Sequence, residues 1–377
     1  MQERPGSDDG ERGGGRRLNT RSTLALAVTI AVACVVGVVV SFGQHTPAQV
    51  TNPDPSAFAQ RAVTPSPVTP SPVTPSPVPG APQSGDGSTL ADDLATDEVV
   101  LFGGVGDYGN TWLWNGGAWT LAHPPVSPSG RFGSSAAYDP QTRTVLLFGG
   151  RLEPGTPVRD TWAWNGTTWA ELDSGTGGPQ PGEGSDMAWD PAVTQMVLLT
   201  RSGVISDPAE TWVWAGTHWS RMVRGDLPAA AFYSPMGFDP VSRSLLAIGC
   251  CVGPPPGTGG SNTTWRWSGG AWTLLPAAAD VAPLASDMAL DPTVGRLVLC
   301  ACGRPASSQP GLWMWDGSRW SSLPAAQLPV ESGTVVSDLD RGDLLLLGAP
   351  KSAQPGQFPV DVWSLSGSSW HQLDRAG

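Results

Sequence analysis

The chain has 377 residues, 18 of them tryptophan, and a formal net charge of −12. Residues 1–90 balance their acids and bases, so the imbalance falls on the remainder. An acidic surface repels a phosphate backbone, which excludes nucleic acid as a partner.

Residues 1–21 form a polar tail that carries Arg16, Arg17 and Arg21 near its end. Leu24 to Phe42 is uncharged and apolar, long enough as a helix to cross a hydrocarbon core of about 30 Å. A transmembrane helix is expected over 22–42. The run exceeds a signal-peptide core, and no A-x-A-like site follows it, so a retained anchor is expected rather than a cleaved leader. The next base after the run is Arg61. That asymmetry places the tail in the cytoplasm and the rest of a single-pass membrane protein outside the cell.

Residues 43–83 read as a disordered stalk rich in Pro, Thr and Ser. Its centre repeats Thr64-Pro65-Ser66-Pro67-Val68 as 69–73 and 74–78. Alternate prolines fix φ and lack amide donors, so neither helix nor sheet propagates. An extended polyproline segment rises about 3.1 Å per residue, which gives residues 64–79 a reach of roughly 50 Å.

Residues 84–377 carry a repeat, W-x-W-x4-W. It occurs as Trp112/Trp114/Trp119, Trp162/Trp164/Trp169, Trp212/Trp214/Trp219, Trp265/Trp267/Trp272 and Trp313/Trp315/Trp320, then degenerately as Trp363/Leu365/Trp370. A period near 50 residues means one supersecondary unit copied six times. The second copy is the clearest. A strand runs into the Asp139-Pro140 turn, and Val145–Phe148 forms a buried strand stopped by Gly149-Gly150. After a variable loop, Trp162–Trp164 and Trp169–Leu172 form a hairpin around Asn165-Gly166. Asp190-Pro191, Asp239-Pro240 and Asp291-Pro292 repeat the first turn, and Asp93 and Asp340 keep its acid. A two-residue Asn115-Gly116 turn would set Trp112 directly opposite Trp119, both on one face. Blade packing is therefore assigned to the first and last tryptophans of each unit: Trp112, Trp119, Trp162, Trp169, Trp212, Trp219, Trp265, Trp272, Trp313, Trp320, Trp363 and Trp370. Six whole sheets, none shared between the chain ends, are expected to stack.

These elements (D-P-x-T, F-G-G, then D-T-W-x-W-N-G-x-x-W) resemble the bacterial kelch repeat, of the kind found in the central domain of galactose oxidase. The resemblance covers about 290 residues and implies an all-β, six-bladed β-propeller. Only Gly103-Gly104 and Gly149-Gly150 keep the double glycine; the later units depart from it. The family includes a copper oxidase, but its set of His, Tyr and Cys ligands cannot be assigned among His123, His218, His371, Tyr108, Tyr138 and Tyr233. No catalytic residue, cofactor or metal ligand is identified.

Cys250-Cys251 and Cys300-x-Cys302 fall in adjacent units. Strand parity sets Cys251 apart from the other three, so Cys251 with Cys302 is the expected inter-blade disulfide, with a local Cys300–Cys302 bridge or free thiols as alternatives. The recurring turn aspartates are assigned to turn chemistry, and Trp189, which replaces Tyr138, Phe238 and Leu290, to the core. A binding surface is expected on the loops Val105–Gly109, Arg151–Arg159, Ser202–Ala209, Val252–Ser261, Arg304–Pro310 and Pro350–Pro359, which vary while their framework repeats. The function expected is that of an interaction scaffold for a protein partner; a lectin for cell-wall glycan is the alternative. Protease added to intact cells should release the 84–377 domain and leave residues 1–42 in the membrane fraction. A chain that resists release unless the cells are lysed would refute the expected orientation.

Overall fold

Short runs of β-branched and aromatic residues, cut by Asp-Pro and Asn-Gly turns, fold in the computed structural model into six antiparallel sheets of four strands each. The described residues are 82, 87–105, 108–180, 185–200, 209–222, 235–249, 263–275, 287–302, 311–323, 328–350 and 360–374. The expected membrane segment 22–42, nearly all of the stalk and Cys251 lie outside them. Among the described residues no helix is long and apolar enough to cross a membrane. The chain divides into the units Met1–Pro70 and Ser71–Gly377, and every described residue belongs to the second.

Sheets I to VI span 89–122, 135–173, 186–222, 236–275, 287–322 and 330–374. Each takes its strands in chain order, sheet II with two short strands at 151–157 set aside between its second and third, and no sheet mixes strands from the two ends of the domain. The first strands touch in sequence order, and that of sheet VI touches that of sheet I, so the sheets close a ring around their first strands. Closure needs no shared backbone ladder. It rests on six apolar clusters, each drawn from two neighbouring sheets. The cluster between sheets VI and I joins Trp112, Trp114 and Trp119 to Leu345, Leu347 and Val362.

The hairpin register differs from the sequence expectation. Trp114 pairs with Trp119, not Trp112, and the same shift holds for Trp164/Trp169, Trp214/Trp219, Trp267/Trp272 and Trp315/Trp320. In sheets I and II the asparagine holds this turn: Asn115 Oδ1 accepts from the amides of Gly117 and Ala118, at 3.1 and 3.0 Å, so four residues lie between the paired tryptophans instead of two between the strands. Sheets III and IV keep the same register with Ala215 and Ser268 at that position. Paired rings sit 5.2 to 5.4 Å apart and tilted, within the favourable range for aromatic pairs. The face shared by the tryptophans stands as expected, and each triplet looks at the preceding sheet. The turn acid of sheet VI is likewise Asp338, which pairs with Asp343 as Asp139 does with Thr144; it is not Asp340.

A buried indole N–H needs an acceptor. Trp169 Nε1 donates to Thr111 Oγ1 of sheet I at 2.9 Å, and Trp219, Trp272 and Trp320 donate likewise to Thr161, Thr211 and Thr264 of the sheet before them. Each acceptor directly precedes the first tryptophan of its unit. In sheets V and VI that position holds Leu312 and Val362, and the indole nitrogens that would face them, on Trp370 and Trp119, are buried without a partner. Replacing Val362 with Thr should supply the missing acceptor and raise stability by about 1 kcal/mol, while Thr211→Val should lower it by about 1–2 kcal/mol. Denaturant midpoints would measure both. A Val362→Thr protein less stable than the parent would break the rule.

Candidate functional site: the central channel

The first strands enclose a cavity of about 770 Å³ to which all six sheets contribute. Position along the first strands sorts its lining by depth. At one end stand Thr89, Ser135, Asp186, Asp287 and Thr334. The middle carries mostly small side chains: Ala91, Ala137, Ala188, Gly237 and Ala289, with Val336 from sheet VI. A Cβ on Gly237 would come within 2.8 Å of Leu297, so this position admits no larger residue without repacking. The far end carries Asp92, Tyr138, Trp189, Phe238, Leu290 and Ser337. Ser135 pairs with Phe148 and Asp287 with Cys300, so the hydroxyl and carboxyl end lies beside the strand ends from which the variable loops leave. The aromatic end lies beside the Asp-Pro turns.

Asp186 and Asp287 tie neighbouring sheets together. Asp186 accepts from the Met187 amide at 2.8 Å and from the Met236 amide of sheet IV at 2.6 Å. Asp287 accepts from the Met288 amide at 2.8 Å, from the Val335 amide of sheet VI at 2.9 Å and from the Thr334 hydroxyl. Both side chains are partly exposed, and they line the channel with protein packed around them. Burial, reinforced by the charge of Asp287, pushes Asp186 up to about 7, against the two amide hydrogen bonds. Burial likewise raises Asp287 to about 6. At the far end burial raises Asp92 to about 7, with Asp338, Asp340 and Asp93 adding to it, although the Leu339 amide donates to Asp92 at 2.8 Å.

Among the described residues the loop face is built most fully over sheets I and II. Arg131–Phe132, Arg151–Leu152 and Thr156–Pro157 form a small three-stranded sheet there. Arg131 is 1% exposed and grips Asp160 through two bonds of 2.6 and 2.9 Å, with further bonds to the Gly149 and Ser129 carbonyls. Burial alone would raise Asp160, but hydrogen bonds from Arg131 and Trp162 outweigh it and hold the carboxyl below its ordinary value. The segment around Arg131 explains the double glycines. A Cβ on Gly103 would strike the Arg131 carbonyl, and one on Gly150 would lie 2.9 Å from the Phe132 carbonyl. Both glycines also hold positive φ, at 69° and 96°. Within the described residues this packing occurs over sheets I and II, which are also the two that keep Gly-Gly.

Several sequence readings are sorted by this geometry. The turn aspartates accept from amides two residues on: Asp139 from Gln141 at 2.9 Å, Asp190 from Ala192 at 2.9 Å and Asp291 from Thr293 at 2.9 Å. Trp189, expected in the core, packs against the cluster between sheets II and III and also lines the channel, as Tyr138 and Phe238 do beside their own clusters. Cys302 adjoins Cys300, with 5.2 Å between their Cα atoms, while Cys251 lies outside the described residues. Cys300 is on the second strand of sheet V and Cys302 just past its end, so the local pairing is within reach. Asp186 and Asp287 escaped the sequence reading, although Ser185-Asp186-Met187 and Ser286-Asp287-Met288 repeat an acid where other units carry Thr89 and Ser135. Among the described residues no three His, Cys, Asp or Glu side chains gather as a metal site.

These features define an all-β protein of propeller-like fold. No family model and no curated protein matches the chain. Among solved structures it is similar to YjhT, at 12% identity and a TM-score of 0.52, over 78% of this chain and 99% of the other. It is similar also to the SapL1 lectin solved with alpha methyl fucoside, at 12% identity and a TM-score of 0.52, over 79% and 97%. A mutant of the Aleuria aurantia lectin AAL, solved with Fucalpha1-6GlcNAc, matches at 11% identity and a TM-score of 0.50, over 77% and 96%. At such identities the likeness is one of fold.

The raised carboxyls give the stability a pH dependence of definite sign. A folded-state value above the unfolded one means that the native protein holds the proton more tightly, so stability falls as pH climbs from about 4 to about 7. Asp186→Asn should remove that penalty: little change at pH 4, and a gain on the order of 1–2 kcal/mol at pH 8. Thermal unfolding of both proteins across that range checks it, and a gain confined to low pH would reverse the assignment.

Proposed function

We propose that the protein is a six-bladed, kelch-like propeller, held outside the cell by an N-terminal membrane anchor, that works as a binding module through its loop face. One observation carries this reading. The strand ends from which the variable loops leave lie beside the polar end of the channel, although most of the loops themselves are outside the described residues. A repeated framework that concentrates its sequence variation and its polar side chains on one face is built to present a surface. The opposite face carries the repeated turns, whose aspartates are engaged by their own backbone.

The partner proposed first is a protein, since a rigid three-stranded cap over sheets I and II offers a preformed edge and exposed loop tip at Glu153 and Pro154. A glycan is the second reading. It is favoured by the lectins among the solved structures of similar fold, and by Trp212, Trp265, Trp313 and Trp363, which stay partly exposed where their counterparts are buried. Neither reading requires chemistry in the site.

A photo-crosslinker at Glu153 in intact cells should give a discrete protein adduct, and one at Ala192 on the turn face should give none. Equal adducts from both positions would remove the loop face from its role. A glycan array probed with the full chain in detergent decides the second reading, with Trp363→Ala expected to cut any signal about tenfold by loss of ring stacking.

A further inference from the structure

We propose that the loop-face end of the central channel binds a ligand carrying an ammonium group, with the cation against Asp186 and Asp287 and an apolar portion directed toward Tyr138, Trp189 and Phe238. This goes beyond the loop-face reading and does not depend on which macromolecule the outer loops hold.

The sign of the site comes first. Among the described lining residues the titratable groups are Asp92, Asp186, Asp287 and Tyr138, and no Lys, Arg or His faces the cavity. An anion entering this channel would meet only repulsion, whereas a cation would relieve the mutual repulsion of two carboxyls that already act on each other. Both carboxyls are tied by amide donors, which orients them and leaves further lone pairs toward the cavity.

The acids do more than bind sheet to sheet. The same ring position holds Ser135 in sheet II, which is 4% exposed, lines the channel and has no hydrogen-bond partner for its hydroxyl. Ring closure at that position therefore needs no acid. The unpartnered Ser135 hydroxyl is also a polar group that a bound ligand would satisfy, since a buried hydroxyl left alone is costly. Below this ring the alanines and Gly237 leave room for a slender chain or ring. The aromatic group at the far end then offers apolar faces and, for a second cation, π-density.

The test uses the full chain in detergent with benzylammonium as probe and benzyl alcohol as its neutral isostere, each followed by saturation-transfer NMR and calorimetry. At pH 8 benzylammonium should bind and benzyl alcohol should bind at least about tenfold more weakly, the difference an ion-paired contact makes in a partly buried site. Lowering the pH to 5 protonates Asp186 and Asp287 and should weaken benzylammonium by about tenfold or more. The Asp186→Asn/Asp287→Asn double variant keeps an acceptor oxygen at each position and should lose binding with its thermal unfolding intact. If that variant does not fold, Ala188→Leu, which narrows the channel and leaves both acids, should lose binding too. Equal binding of amine and alcohol would overturn the proposal in favour of a neutral, hydroxyl-bearing ligand. Binding indifferent to pH, or no binding of benzylammonium at all, would overturn it outright.

Discussion

An indole ring pressed between two sheets has one polar atom, and the architecture depends on what that atom finds. Thr111, Thr161, Thr211 and Thr264 each receive it from the next sheet round the ring. The hydrogen bond adds direction to packing that is otherwise non-directional. Apolar clusters of Val, Leu and Trp would allow the sheets to slide; a hydroxyl at a fixed height sets how far one sheet is advanced against the next. The tilt of the paired rings recurs nearly unchanged in five sheets, that of sheet I included although Trp119 has no such acceptor, so the ring pair itself keeps its geometry.

Much of this was legible in the residues. The period gave the number of units, parity gave the face of the tryptophans, and Asp-Pro marked turns whose acids do bond their own backbone. The hairpin register was not legible. Asn-Gly ordinarily signals a two-residue turn, but the side chain of Asn115 or Asn165 captures two amides and lengthens the loop. Thr before Trp could be read as an ordinary strand residue, and its purpose showed only when the neighbouring sheet was in place.

The channel was hidden for a different reason. Along a first strand such as Ser135–Asp139, both faces meet neighbouring sheets, so alternation reports burial twice and the edge that looks inward is invisible to pattern. Trp189 accordingly read as core, which it packs against, without a sign that it also lines the channel. The repeated Ser-Asp-Met of sheets III and V was the one available signal, because a carboxyl placed where other units have a hydroxyl contradicts the expectation for an interior strand. The loops over sheets I and II show the converse. Their double glycines were visible as a departure between units, and the Arg131 segment supplies the steric cause.

The joint between sheets VI and I has a mechanical meaning. No backbone ladder crosses it, and Trp119 has no hydroxyl to meet there. Pro82, just ahead of the first strand, accepts the amide of Val360 in sheet VI at 3.2 Å, so the chain enters the ring at this seam. A pull on the N-terminal side is thus delivered to one of the two joints that lack an indole–hydroxyl bond. Strain would load the contact of sheet I with sheet VI, while the four joints with indole–hydroxyl bonds lie away from the point of pull.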